Sequence, residues 1–222
     1  CILSFVFVLY STFLTRTGIL GDTSVHAFTE AGAAINAMIG LMVLFFAFSP
    51  ILTFLLNNKK IPVMAKEEET SSREFWMFIG SLLFFLSALF IIIITSIPVF
   101  NKTPLLKDLI SKIHGGPLAM PEDPEFLYNK VMVLVAILLG LMTAVAQYLK
   151  YKHTETRFAV KRIWLPTLIA AAISILILVV YPLEFYKHGT GFLVAIYAAW
   201  VSVLYSLIAN ASYIFIGFKG KL

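Results

Sequence analysis

Residues 75–99 read FWMFIGSLLFFLSALFIIIITSIPV, without one charged side chain between Phe75 and Val99. About 20 mainly apolar residues are enough to cross the hydrocarbon core of a bilayer as an α-helix. The run lacks the period-two alternation that a membrane β-strand requires, so it reads as a helix and not as a barrel segment. Five further segments have the same character: 2–14, 33–56, 131–149, 164–181 and 192–216. The fold class expected is therefore all-α, a polytopic integral membrane helix bundle of about six transmembrane helices. The first helix is truncated, because Cys1 leads straight into an apolar run with no charged n-region and no small-residue cleavage site before it. On this reading 1–222 is a single transmembrane domain and a fragment of a larger protein.

Composition agrees with that reading. The chain is 60% hydrophobic, has a mean hydropathy of +0.92 and is only 13% charged, against about 25% in an ordinary soluble domain. These values exclude a soluble globular domain, a disordered chain and a nucleic-acid-binding domain. The net charge of +5 does not restore the last of these, because the basic residues lie in short clusters between apolar runs, as they do where they set membrane topology. A single cysteine, Cys1, excludes an internal disulfide and a thiolate metal cluster.

The loops give an orientation. Lys59, Lys60, Lys66 and Arg73, then Lys150, Lys152, Arg157, Lys161 and Arg162, then Lys219 and Lys221, alternate with Arg16, then Lys102, Lys107, Lys112 and Lys130, then Lys187. The first set is the larger, and the positive-inside rule places it in the cytoplasm. The outer side then carries loops 15–32, 100–130 and 182–191, with His26, His114 and His188. Within 100–130, Thr103-Pro104 reads as an N-cap followed by proline at the first helical position. Leu105, Leu106, Leu109, Ile110 and Ile113 fall on one face, and Gly115-Gly116 ends the segment. This predicts a short amphipathic helix that either lies on the membrane surface or caps the bundle.

Residues 12–28 hold the chemistry of most interest. Arg16 stands at the mouth of a helix, Gly18 makes a turn, and His26 lies between Val25 and Phe28. A neutral imidazole is a good ligand for iron or zinc, and an arginine pairs bidentately with carboxylate. Haem combines both needs, with iron at its centre and two propionates at its edge. Against this stand two plainer readings: a solvated loop histidine, and an arginine snorkelling to lipid phosphate.

The stretch Ser11-Thr12-Phe13-Leu14-Thr15-Arg16-Thr17-Gly18-Ile19-Leu20, followed by Ser24-Val25-His26-Ala27-Phe28, resembles the GTFLVRSGVL and SVHAF signature of the CcmF / CcsA-type cytochrome c maturation haem lyase family, and is most like its CcmF members. Ser72-Arg73-Glu74 resembles the family's SRE element. Pro124, Tyr128 and Asn129 resemble its GPPYFN element. The resemblance implies a haem lyase component that forms thioethers between haem vinyl groups and the cysteines of an apocytochrome c. It implies that His26 is an axial ligand to haem iron and that Arg16 is the family arginine, to which we assign a propionate. It further implies haem b as substrate and a structural haem ligated outside this sequence. The partners implied are apocytochrome c, a haem chaperone, thiol-reducing components and membrane lipid, with no nucleic acid. The location implied is a bacterial-type inner (cytoplasmic) membrane with the His26 loop on the periplasmic side.

The sequence also departs from the family. The tryptophan-rich segment, the partner external histidine and one transmembrane haem ligand belong upstream of Cys1. No intramembrane histidine stands where a second transmembrane ligand is expected, and Gly21-Asp22-Thr23 lengthens the spacing before Ser24.

The remaining candidates read as structural. His114, His153 and His188 are solvated loop residues, the last four positions after Glu184 but bracketed by Pro182 and Gly189. Glu74 suits the positive end of a helix dipole. Gln147 and Asn210 read as amides bonding between helices or to interfacial water. No phosphate loop or HExxH occurs. A haem or solute transporter and a non-catalytic scaffold subunit remain the alternatives. The first is disfavoured because the six segments hold almost no ionisable residue.

Overall fold

The computed structural model describes residues 2–21, 32–60, 69–182 and 189–218. Among these the chain is helical, with no strand: α1 Ile2–Arg16, α2 Ala33–Asn57 with a 3-10 turn at Asn58–Lys60, α3 Arg73–Thr95, α4 Ile97–Lys102, α5 Pro104–His114, α6 Pro124–Ala146, α7 Thr156–Val180 and α8 Thr190–Phe218. Five stretches are long and apolar enough to cross a membrane: Ala33–Lys60, Arg73–Thr95, Pro124–Ala146, Thr156–Val180 and Thr190–Phe218. The 23 residues of α3 rise roughly 35 Å at 1.5 Å each, more than the ~30 Å hydrocarbon core. Ile2–Arg16 is apolar but shorter. The chain is a multi-pass membrane protein.

Helix boundaries follow local chemistry. The apolar run 75–99 contains two helices. Pro98 has no N–H for the carbonyl four residues back, so α3 ends at Thr95 and α4 starts again with proline in its first turn. Helix α6 begins well before its apolar run, because Asp123 Oδ1 accepts from Phe126 N at 2.8 Å and Pro124 follows at a position that needs no donor. Helix α7 likewise opens with polar turns at Arg157, Lys161 and Arg162 before its apolar part.

The contacts divide the chain into two compact units, Cys1–Ala65 with Ile93–Met120, and Lys66–Ile92 with Pro121–Leu222. In the first, α1 lies along α2. Helix α2 has no buried residue, and Leu41, Phe45 and Leu56 are 69%, 69% and 73% exposed, the expected state of side chains that meet lipid tails.

In the second unit α8 packs along α6 and α7. Gly140 and Ala144 of α6, Ser202, Tyr205 and Ala209 of α8, and Pro166, Ala170 and Ser174 of α7 are all buried. Lipid is as apolar as leucine, so helices in a bilayer associate through close backbone approach and interhelical hydrogen bonds. Both occur here. Ser202 Oγ donates to Ile137 O at 2.8 Å, Tyr148 OH to Ala209 O at 2.8 Å, and Thr143 Oγ1 lies 2.9 Å from Ser206 Oγ. The amides Gln147 and Asn210, read as bonding between helices or to interfacial water, also bond locally: Gln147 Nε2 reaches Ala144 O, and Asn210 Nδ2 reaches Ser206 O. Hydroxyls are short enough to act where small residues bring the backbones together.

Candidate functional site

The candidate site lies at the end of α1. Helix α1 is anchored by buried Leu9 and Leu14 and by a 2.6 Å bond between Tyr10 OH and Ser96 Oγ. Thr17 closes the helix. Its N–H and its Oγ1 both donate to Phe13 O, at 3.1 and 2.8 Å, and its side chain is buried. Gly18 then takes φ 69, a left-handed conformation that glycine adopts without a Cβ penalty. Gly21 N donates back to Gly18 O at 3.0 Å, and Leu20 is buried. The STFLTRTGILG stretch is thus a helix end folded into a pinned turn.

Arg16 is the last residue of α1 and is exposed. A cation there suits the negative end of the helix dipole. A second cation joins it: Lys102, the last residue of α4, donates Nζ to Ile19 O at 3.1 Å. No local pattern could have linked Lys102 to this turn, because its bond to Ile19 spans 83 residues. Arg16 immediately precedes the turn, and Lys102 bonds to it at Ile19. His26 lies outside the described residues, as do Asp22 to Phe28 in general and His188.

Helix α5 follows directly. Thr103 stands at its N-cap position without a side-chain bond, Pro104 opens it, and Gly115 at φ 79 ends it, its N–H on Ser111 O. Asn101 closes the excursion, donating Nδ2 to Leu118 O at 2.9 Å and accepting from Leu118 N at 3.0 Å. Leu105 and Ile113 are 77% and 79% exposed, while Leu106 and Ile110 are half-buried, so the apolar face is wider than its seat. His114 is exposed in the last turn. No cluster of three metal-ligating side chains occurs among the described residues.

Compared with models of known protein families, with curated proteins and with solved structures, the chain matches none.

The Ser72-Arg73-Glu74 element has a distinct role in the second unit, where it holds the turn between α6 and α7. Ser72 Oγ accepts from Phe75 N at 3.1 Å and caps α3. Arg73 donates Nε to Leu149 O at 2.9 Å, an Nη to Gln147 O at 2.7 Å, and its backbone N–H to Lys150 O at 3.1 Å. It thereby satisfies carbonyls beyond the end of α6 that have no helical partner. Glu74 Oε2 accepts from Lys152 N at 3.0 Å, where Lys152 has a left-handed φ of 69. The sequence signals a helix start at this element, but not the arginine's grip on a turn more than seventy residues away.

At the edge of the same turn, exposed Glu69 and His153 meet at 2.5 Å. The His153 hydrogen bond and charge hold the Glu69 carboxyl below the usual carboxylate range. A carboxyl with a lowered folded value adds stability that is present above its ordinary value and lost as pH falls through the folded one. Full exposure makes that contribution small. Arg73→Gln is therefore expected to lower the thermal unfolding midpoint of the detergent-solubilised protein distinctly, through two charge-assisted hydrogen bonds on the order of 1.5–3 kcal/mol each. Glu69→Gln is expected to leave the pH 7 midpoint nearly unchanged. Equal shifts for the two variants would contradict this assignment.

Proposed function

We propose that this chain is a haem-handling part of a cytochrome c maturation system, a CcmF-like haem lyase component that presents haem for covalent attachment to an apocytochrome c. The observation that carries the reading is the 11–28 signature, with Arg16 and the pinned Thr17–Gly21 turn at its centre. On this reading the loop faces the periplasm from a bacterial-type inner membrane, and the protein works beside a haem chaperone and thiol-reducing components.

The residues present fit such a substrate at its carboxylate edge. Haem carries two propionates, and the turn carries two cations, Arg16 and Lys102. A guanidinium binds carboxylate through paired N–H donors, whereas an ammonium acts as a compact point charge. His26 is proposed to ligate iron. The reaction adds each cysteine S–H across a vinyl double bond. One S–C bond forms, the hydrogen goes to the neighbouring carbon, and no net oxidation occurs. Such a reaction needs position and reduced thiols more than an acid–base pair.

The test is the double variant Arg16→Gln, Lys102→Gln in the full-length protein, scored by holocytochrome c formed per unit of enzyme. Removing two charge-assisted hydrogen bonds to propionate at an exposed site is expected to reduce yield about tenfold or more, with each single variant intermediate. Wild-type yield from the double variant would remove the propionate role from this turn.

A further inference from the structure

We infer that the second unit holds a binding site for the phosphate group of an anionic phospholipid, at the end of the helices that the lysine and arginine count assigns to the cytoplasm. This site is separate from the turn at Arg16 and does not rest on the haem reading. It is a cavity of about 140 Å³ where the start of α3, the α6–α7 turn, the first turns of α7 and the last turns of α8 converge. Three cations line it, Arg73, Lys150 and Arg162, and no carboxylate does so among the described residues.

The arrangement is specific. Lys150 Nζ lies 4.3 Å from the centroid of the Phe158 ring, and Arg162 Cζ lies 4.8 Å from the same ring. One aromatic ring thus steers two cations into a single cavity. Arg73 enters from α3, fixed by its bonds to Leu149 and Gln147 carbonyls. These use two of the five N–H donors of a guanidinium. Tyr213 brings a phenol from α8. Three cations around one small cavity favour an anion there, which accepts charge-assisted hydrogen bonds from them.

Size and place select the ligand. The volume is below the roughly 300–1,000 Å³ of small-molecule sites, so it takes a head group and not a whole nucleotide or cofactor. Its walls come from the ends of membrane-crossing helices, where a lipid phosphate sits with its acyl chains alongside apolar helix surface. Basic pockets between such helices on the cytoplasmic side are suited to anionic head groups.

The test uses the full-length protein in nanodiscs of phosphatidylcholine with a minor fraction of phosphatidylglycerol, released by mild detergent and weighed by native mass spectrometry. Wild type is expected to retain phosphatidylglycerol over phosphatidylcholine. Lys150→Gln with Arg162→Gln, which leaves the Arg73 clamp intact, is expected to weaken that retention about fivefold per cation removed. Lys150→Arg with Arg162→Lys is expected to keep it, which separates charge from folding. Unchanged retention in the glutamine double variant would overturn the site. Competition by inorganic phosphate, with no preference between the two lipids, would overturn the lipid assignment in favour of a free anion.

Discussion

His26→Ala in the full-length protein is expected to reach the membrane at wild-type level and to form essentially no holocytochrome c. The expectation joins one residue to one chemical need. Haem held beside two thiols would have to keep a defined orientation, and the imidazole of His26 would supply a ligand for its iron. Alanine supplies no donor; among the described residues of this unit the other histidine is His114, exposed in the last turn of α5. The effect is expected to exceed that of Arg16→Gln or Lys102→Gln by an order of magnitude or more. Each of those removes one of two cations, whereas His26→Ala removes the proposed iron ligand. Holocytochrome c at normal levels in His26→Ala would leave the resemblance without its functional content.

The second large effect is structural. Gly140→Leu is expected to separate α6 from α8 and to yield a protein that aggregates or unfolds on extraction. A Cβ at Gly140 would overlap Ser202 Oγ and lie 3.0 Å from Ser202 O and 3.1 Å from its carbonyl carbon. The hydroxyl can rotate away, but the backbone of α8 cannot yield without moving the helix. The shift would also break the bond from Ser202 Oγ to Ile137 O. Overpacking a tight contact costs roughly 1–3 kcal/mol and occasionally more. Even Gly140→Ala is expected to lower the midpoint of thermal unfolding. Gly80→Ala is the control, because a Cβ there meets only Met142 Cε, at the ordinary distance of 3.5 Å, and alanine is the better helix former. A monodisperse Gly140→Leu protein with a wild-type midpoint would mean that α6 and α8 do not pack as described.

Much of the architecture is readable from hydropathy, because a bilayer leaves few other solutions for long apolar runs. Residues 33–56 and 192–216 correspond closely to α2 and α8. The boundaries that hydropathy misses are set by groups it does not weigh. The Pro98 ring ends α3 early, the Asp123 carboxylate starts α6 early, and α7 begins in polar turns before its apolar stretch. Arg16 is readable from its neighbours in sequence. Lys102 and the grip of Arg73 on the α6–α7 turn are not, because both depend on partners more than seventy residues away. The basic cavity is equally hidden. Arg73, Lys150 and Arg162 count as ordinary topology charges until folding brings them around one space.

Absorption spectroscopy of the purified full-length protein tests the proposed ligation of haem iron by His26. Wild type and His26→Ala would be compared, oxidised and reduced, at equal protein concentration. The expected result is a haem spectrum of bis-histidine character in wild type that is lost or reduced in the variant. Superimposable spectra in both redox states, or no haem in either protein, would contradict it.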